Sequence, residues 1–473
     1  MTVAETPPRA APASAAAAPP SPAGPVDAST PIRLPPAIGL PAVVQGLRFA
    51  RRPMSFALAS QRRFGDVWEL KAPTRSEPFA VTCHPDHVRS LLTADPADAP
   101  SLTGESPLRP IVGPNSVLTS GGARHLRQRK LLLPPFHGEA VQRYVAMIDD
   151  VAGQEIDRWP IGETFALAPR MQAVTFEVIM RGVFGIGAAS VTTEAERRMR
   201  QALRRMLAAS MSPLYLLVEM RNARQTEPKG LLAAVMAMVD RQMHAVIRER
   251  RAAGDHERRG DVLSLLLAAS DEDGRPLTDH ELRDELMSLV LAGHETTANS
   301  LAWTFERLLR TPVAYARLRE LVRGADRPAA QAYVEATIHE GMRSRPVIPM
   351  IARMVMRRWR LGAYAVPSRT PVAVSIVALH HRRDVYPDPH VFDPARFLAA
   401  KPGTYTWIPF GGGIRRCLGA TLAMAEQRVV LEAIARRTDL ASSDARPEPA
   451  RMRNVTMVPA GGCQIAVIHR SGA

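Results

Sequence analysis

Cysteine is scarce: the 473-residue chain has three, Cys83, Cys417 and Cys463. They are too few and too scattered for a disulfide framework or a four-ligand zinc site, which makes a reducing, cytoplasmic compartment the expectation. Long hydrophobic runs are missing as well. The cleanest, such as Leu231 to Val239, reach only about half a membrane span, so no transmembrane anchor is expected. Acidic residues fall short of basic ones, 46 Asp and Glu against 61 Lys and Arg, leaving a formal charge of +15. That surplus raises nucleic-acid binding as a reading. However, the arginines are spread over helical segments without interleaved aromatics or a groove-entering motif, and no nucleic-acid partner is expected. Aromatics make up only 5%. Proline is plentiful at 41 but lacks any period, which excludes collagen-like and solenoid architectures.

What is present is ordinary globular text, 46% hydrophobic and 23% charged, with enough chain for a large core. Residues 1–36 read as a disordered Ala/Pro-rich tail, since Pro7, Pro8, Pro12, Pro19, Pro20 and Pro22 break the alanines and no basic segment precedes them. Residues 37–473 read as one folded domain. Short strands are predicted at Val67 to Leu70 and Phe79 to Thr82. Helical periodicity then dominates from about 122 to 340, strands return between Arg353 and His380, and a last helix follows Cys417. Val455 to Ile468 reads as a hairpin about Pro459 to Gly462. The most informative helix opens on a capping box, Thr278 and Glu281, and runs without proline to Thr311. At 1.5 Å per residue that is about 48 Å. Its middle is apolar around most of its circumference and should cross the interior. His294, Glu295, Thr296 and Thr297 interrupt it, and polar groups there are costly unless they serve a purpose. His294 reads as a helix-packing residue.

The strongest single signal is Phe410-Gly-Gly-Gly-Ile-Arg415-Arg416-Cys417-Leu-Gly419, running into a helix that begins near Ala420. Glycines let backbone amides approach the sulfur, while a helix N-terminus and flanking arginines favour thiolate, which suits Cys417 to hold a metal. Cys83 and Cys463 read as core residues. The fragment Gly185-Ile-Gly187 imitates a dinucleotide loop but lacks the third glycine and the strand–turn–helix context.

The Phe410 to Gly419 stretch resembles the haem-binding loop of the cytochrome P450 family, and three further motifs follow that family's order. The resemblance implies a mainly α fold with small β-sheets, the haem lying between the long helix and the cysteine loop. Cys417 would be the axial ligand of haem b, with Phe410 and Gly419 shaping its loop. Ala292-Gly293-His294-Glu295-Thr296-Thr297 is similar to the family's oxygen-activating segment. Ala292 and Gly293 would give dioxygen room, Thr296 a hydroxyl and Glu295 a proton-relaying carboxylate. Glu340 and Arg343, with Arg396 in Phe392-Asp-Pro-Ala-Arg396-Phe397, match a buried structural triad near the loop. His125, Arg129, Arg353 and Arg415 fall where the family binds the haem propionates.

The activity so implied is monooxygenation of a lipophilic molecule of roughly 15 to 30 heavy atoms, by hydroxylation or epoxidation with O2. The wall segments would be 101–119, 206–238, 347–350 and 458–462. The chain carries no flavin or nicotinamide fingerprint, so electrons would come from a separate ferredoxin or flavodoxin with its NAD(P)H reductase. Arg127, Lys130 and Arg416 are expected to form an exposed basic docking face for such a donor. A peroxide-using haem-thiolate enzyme would not need the Glu295/Thr296 pair, and a non-catalytic haem sensor is the rival from another class. Two residues depart from the family pattern: Arg369, where glycine is usual in a turn, and Ala395, where glutamate is usual.

Overall fold

The computed structural model describes residues 20–103, 106–187, 192–210, 218, 221–222, 225–255 and 258–470. Its axis is the helix Asp279–Leu309. The capping box that set its start is complete. Thr278 Oγ1 accepts from the Glu281 amide at 3.2 Å, and Glu281 returns a carboxylate to the Thr278 amide at 3.0 Å. Pro312, the first residue of the next helix, bars continuation. Side chains on most faces of the long helix are buried, as expected for a helix crossing the interior. Helices Leu167–Phe184, Arg327–Ser344 and Ala420–Arg437 pack against it. Gly341 is the point of closest approach: a Cβ there would collide with the Thr304 hydroxyl, so only glycine lets those two helices cross.

A second core lies on the sheet side, around Trp68, Trp359, Val372, Leu379 and Ile408. Its sheet has the order β2 (Val67–Leu70), β3 (Phe79–Thr82), β8 (Thr370–Ser375), β5 (Met350–Val355). The first two strands fall where the sequence predicted them. β3 and β8 run parallel, Ala80 facing Val372, and β5 returns antiparallel with Arg353 opposite Val372. That register brings Arg353 to the wall of the central cavity.

Two expectations need correction. Residues 20–36 are not a disordered tail: β1 (Ala23–Pro25) pairs with β6 (Trp359–Leu361), and Arg33 exchanges both backbone hydrogen bonds with Ala365 of β7 (Tyr364–Val366). The β6–β7 ribbon presents an open edge, and proline is tolerated on an edge strand. Residues 1–19 lie outside the described residues. Next, the C-terminus is not one hairpin. β11 (Thr456–Pro459) pairs with β10 (Ala450–Arg453), whereas β12 (Gln464–Arg470) lies between β4 (Thr164–Ala166) and β9 (Thr438–Ser442). Gly462 and Cys463, both at positive φ, turn the chain from one sheet to the other. Gly185, as the discounted dinucleotide loop implied, is simply the left-handed cap of helix Leu167–Phe184. Finally, Arg369 adopts φ 62°, so the turn keeps the shape glycine would favour and bears the strain.

Candidate active site

The loop before Cys417 is closed on itself. The Cys417 amide donates to the Phe410 carbonyl at 2.9 Å, the Arg416 amide to Gly413 at 3.0 Å, and Phe410 meets Trp407 edge-on at 6.0 Å. Gly413 combines φ 63° with the backbone of Leu92 against its α-carbon, so no side chain fits there. Gly419 caps the helix Ala420–Arg437 and turns its amide toward the Cys417 sulfur. Cys417 is exposed, but onto the internal cavity that it lines. Burial pushes its thiol up, and the Gly419 amide with Arg129 and Arg416 pulls it back only in part. The loop's own charges therefore do not make the thiolate the resting form. A cation bound at the sulfur would.

The cavity holds about 1340 Å³, more than a single ligand's usual 300–1,000 Å³. The long helix forms one wall with Ala292, Gly293, Glu295 and Thr296. Thr296 donates its hydroxyl to the Ala292 carbonyl at 2.6 Å, the bond a mid-helix threonine commonly makes. Gly293 lies against Ile179 of the crossing helix, where an added Cβ would stand at 3.4 Å. His294 turns away from the cavity. Its ring packs on Phe176, its carbonyl accepts from Thr175, and burial lowers its pKa to about 4, as a helix-packing residue requires. Glu295 Oε1 accepts from Arg453 Nε at 2.6 Å and from Thr456 Oγ1 at 2.9 Å.

Opposite, four basic groups converge. His125 is buried on the helix Gly122–Leu132, and Arg129, one turn on, donates to the Arg416 carbonyl at 2.7 Å. Arg415 donates to the carbonyls of Val117 and Ser120, and Arg353 reaches in from β5. All four line the cavity, and none has an ion-pair partner among the described residues. Burial lowers the pKa of each. Arg415 falls to about 10, with Arg353 and Arg129 repelling it, and His125 to about 4, with Arg415 and Arg129 doing the same. Buried like charges that destabilise one another are what a dianionic ligand would repair. A cavity with a sulfur on one wall and this cluster at its edge fits haem with its two propionates.

Glu340 and Arg343 are both fully buried and form a two-pronged pair at 2.6 and 2.8 Å, with Arg396 Nε 3.3 Å from Glu340. Arg343 also donates to the His380 carbonyl, and the His380 ring accepts the Ile408 amide at 3.0 Å. The triad is thus tied to the strand of chain entering the cysteine loop. Ala395, in place of an acid, leaves this geometry intact.

Sequence reasoning misplaced or missed several residues. The stretch facing the cavity near the C-terminus is Asn454 to Thr456, not 458–462. Of segment 206–238, apolar residues such as Met206, Leu232 and Met236 and polar ones, Ser210, Gln225 and Thr226, line the cavity; 211–217, 219–220 and 223–224 lie outside the described residues, as do 104–105. Glu426 is a fully buried wall residue with an unpartnered Oε1, its pKa pushed up to about 8 by burial. A charge inside the apolar run after Cys417 was the available signal. The expected basic docking face is also incomplete. Arg127 is bound by Asp271 and Glu281, and Lys130 by Glu272, so Arg416 alone of the three is free of an ion pair among the described residues.

A helical fold crossed by one long helix, with a cysteine loop and a dianion-ready cavity beneath it, defines a haem-thiolate protein. The Cytochrome P450 family profile matches residues 34–466. "Putative cytochrome P450 135B1" of Mycobacterium tuberculosis is 35% identical over 438 residues, spanning 92% of this chain and 91% of that protein. "Putative cytochrome P450 137" of the same organism is 34% identical over 408 residues, 85% and 83% respectively. Two solved structures share the fold. "Retinoic acid bound cyanobacterial CYP120A1" has a TM-score of 0.75 at 21% identity, covering 93% of this chain and 100% of that one. "Crystal structure of cytochrome P450DA heme domain" has 0.76 at 22%, covering 93% and 100%. The chain belongs to the cytochrome P450 family. It is a monooxygenase that carries haem b on a cysteine thiolate. No helix among the described residues is long and apolar enough to cross a membrane.

Proposed function

We propose that this enzyme inserts one atom of dioxygen into a lipophilic small molecule, with electrons delivered by a separate ferredoxin or flavodoxin and its NAD(P)H reductase. The observation that carries the reading is the meeting, in one cavity, of the Cys417 sulfur, four acid-free basic groups and the hydroxyl of Thr296. When bound, haem would supply oxygen activation, with the cysteine thiolate as its electron-donating ligand. Cys417 is assigned as that ligand, with Phe410 and Gly419 shaping its loop. His125, Arg129, Arg353 and Arg415 would hold the propionates by charge-assisted hydrogen bonds. Ala292 and Gly293 keep the helix wall of the cavity thin, which would leave room for dioxygen beside a bound haem. Thr296 presents its hydroxyl oxygen to the cavity while its proton rests on the Ala292 carbonyl, and Glu295 would exchange protons between the cavity and solvent. Glu340, Arg343 and Arg396 are structural and set the approach to the cysteine loop.

Ile111, Leu118, Leu207, Leu232, Leu289 and Val347 make most of the remaining wall apolar, which supports a lipophilic substrate. The test is spectroscopic. The reduced carbonyl complex of the loaded protein should show a thiolate-type spectrum that Cys417→Ala abolishes and that Ala at 83 and 463 preserves. A thiolate-type spectrum in the Cys417 variant overturns the ligand assignment. Spin-state titration should favour fatty acids, terpenes or steroids over charged, sugar-like compounds.

A further inference from the structure

The carboxylate assigned to the proton relay is tied up. Glu295 Oε1 takes its two hydrogen bonds from the β10–β11 hairpin, 2.6 Å from Arg453 Nε and 2.9 Å from Thr456 Oγ1. Arg453 and Thr456 are the pair that closes this hairpin, and the two residues between them, Asn454 and Val455, form its turn. Asn454, Val455 and Thr456 all line the cavity, with Asn454 at φ 51°. Thr456 Oγ1 also stands 2.9 Å from the Arg453 carbonyl, so its single proton serves either the turn or Glu295. At its base the hairpin is anchored. The Met457 amide donates to Val347 at 2.7 Å, and its carbonyl accepts from Trp303 Nε1 at 3.2 Å. The tip has no such anchor among the hydrogen bonds recorded for the described residues.

An ionised carboxylate held by a guanidinium is an acceptor only, and must let go of it before it can carry a proton. We propose that Arg453 is a positioning residue that parks Glu295 on the hairpin, and that a substrate pressing on Asn454 and Val455 releases it. This rests on the reading of Glu295 and Thr296 as the proton relay. Occupancy of the cavity and readiness of the relay are then one equilibrium, since the turn that feels the substrate is flanked by the residues that hold the acid. The benefit is economy of electrons. In coupled turnover O2, two electrons, two protons and R–H give R–OH and water. Without substrate, O2, two electrons and two protons give hydrogen peroxide.

The experiment uses the haem-loaded protein with a generic ferredoxin, reductase and NADPH. Arg453→Met should raise substrate-free peroxide formation by about fivefold or more, the lower range of typical site-to-site coupling. Arg453→Lys, which keeps a cation, should return most of the way to wild type. A readout without turnover is hydrogen exchange of the Ala450–Pro459 hairpin on adding phenylimidazole to the cavity. The wild-type hairpin should exchange faster with the ligand, whereas in Arg453→Met it should be fast throughout. A lowered melting temperature with unchanged peroxide formation, or a hairpin blind to the ligand in wild type, overturns the proposal. If Glu295→Gln and Thr296→Ala both leave the ratio of product to NADPH unchanged, the relay reading itself has failed, which is a separate result.

Discussion

At the scale of single residues, Thr296 shows how one side chain satisfies a structural habit and a chemical assignment together. Its bond to the Ala292 carbonyl leaves two lone pairs on a hydroxyl that faces the cavity. Thr296→Ala should still bind substrate, but the share of electrons reaching product should fall several-fold and reappear as peroxide, because positioned proton transfer contributes about 100-fold or more. Product per NADPH is the measurement. Thr296→Ser should recover it, and unchanged coupling in the alanine variant would leave only the helix bond as its role. Burial raises all three thiols, but of the three Cys417 alone lines the cavity. Burial raises Cys83 to about 12 and Cys463 well above the ordinary thiol value, which makes both inert core residues. Arg369 carries a cost with no chemistry attached. Its φ of 62° strains any residue with a Cβ by about 1–2 kcal/mol, and glycine's extra freedom in the unfolded chain returns part of that. Arg369→Gly should therefore stabilise by up to about 1 kcal/mol in a denaturant titration, with the haem spectrum unchanged. A loss of stability would mean that the Arg369 side chain contributes more than its backbone costs.

At the scale of elements, what was legible is what the sequence specifies locally. The long helix was readable because a capping box and a following proline lie within its own text, and β2 and β3 because short β-rich runs end in turn residues. What was not legible depends on partners far along the chain. β1 is ordered only because an edge more than 330 residues away accepts it, as the Ala23–Leu361 pair shows. Arg127 looked free because Asp271 and Glu281 reach it across 144 and 154 residues. The cysteine loop, the oxygen-side segment and the triad residues were found through motif resemblance, and the fold brings them together. No local pattern could reveal Arg453 as the partner of Glu295. The triad is where elements meet: two residues of helix Arg327–Ser344 hold the chain near Val391 and His380. Arg343→Met would leave the Glu340 carboxylate without its main partner in a fully buried place. It should cost about 3–5 kcal/mol and reduce haem content, measured by urea unfolding and by haem per protein. An unaltered unfolding midpoint would show that Arg396 and the Asp393 amide suffice to hold Glu340.

At the scale of the whole molecule, buried titratable groups of opposite kind set the pH at which the fold is most stable. Outside the propionate cluster that includes His125, burial keeps four histidines neutral: His87 and His294 fall to about 4, His380 to about 3, and His381 lies well below its ordinary value. Burial also keeps two carboxyls neutral, raising Glu285 and Glu426 to about 8. The two sets act in opposite directions. A histidine whose folded pKa is depressed gives the unfolded chain more protons below about 6.5, so stability is lost as pH falls through that value. A carboxyl whose folded pKa is raised gives the native state more protons between about 4.5 and 8, so stability is lost as pH rises through that window. Near pH 5.5 the four imidazoles outweigh the two carboxyls, and stability should climb with pH by about 1–3 kcal/mol per unit. Near pH 7.5 the imidazoles are neutral in both states, the carboxyls decide, and stability should fall by about 1 kcal/mol per unit. The melting temperature of the loaded protein should therefore peak between about pH 6 and 7. Glu426→Gln removes one of the two groups behind the alkaline limb without adding a charge. It should roughly halve the fall above the peak and move the peak upward, while the acid limb, where that carboxyl opposed the imidazoles, becomes steeper. A profile that rises steadily from pH 5.5 to 8.5, or a Glu426→Gln profile with an undiminished alkaline limb, would mean that Glu426 is ionised in the fold and that the cavity wall holds a charge there.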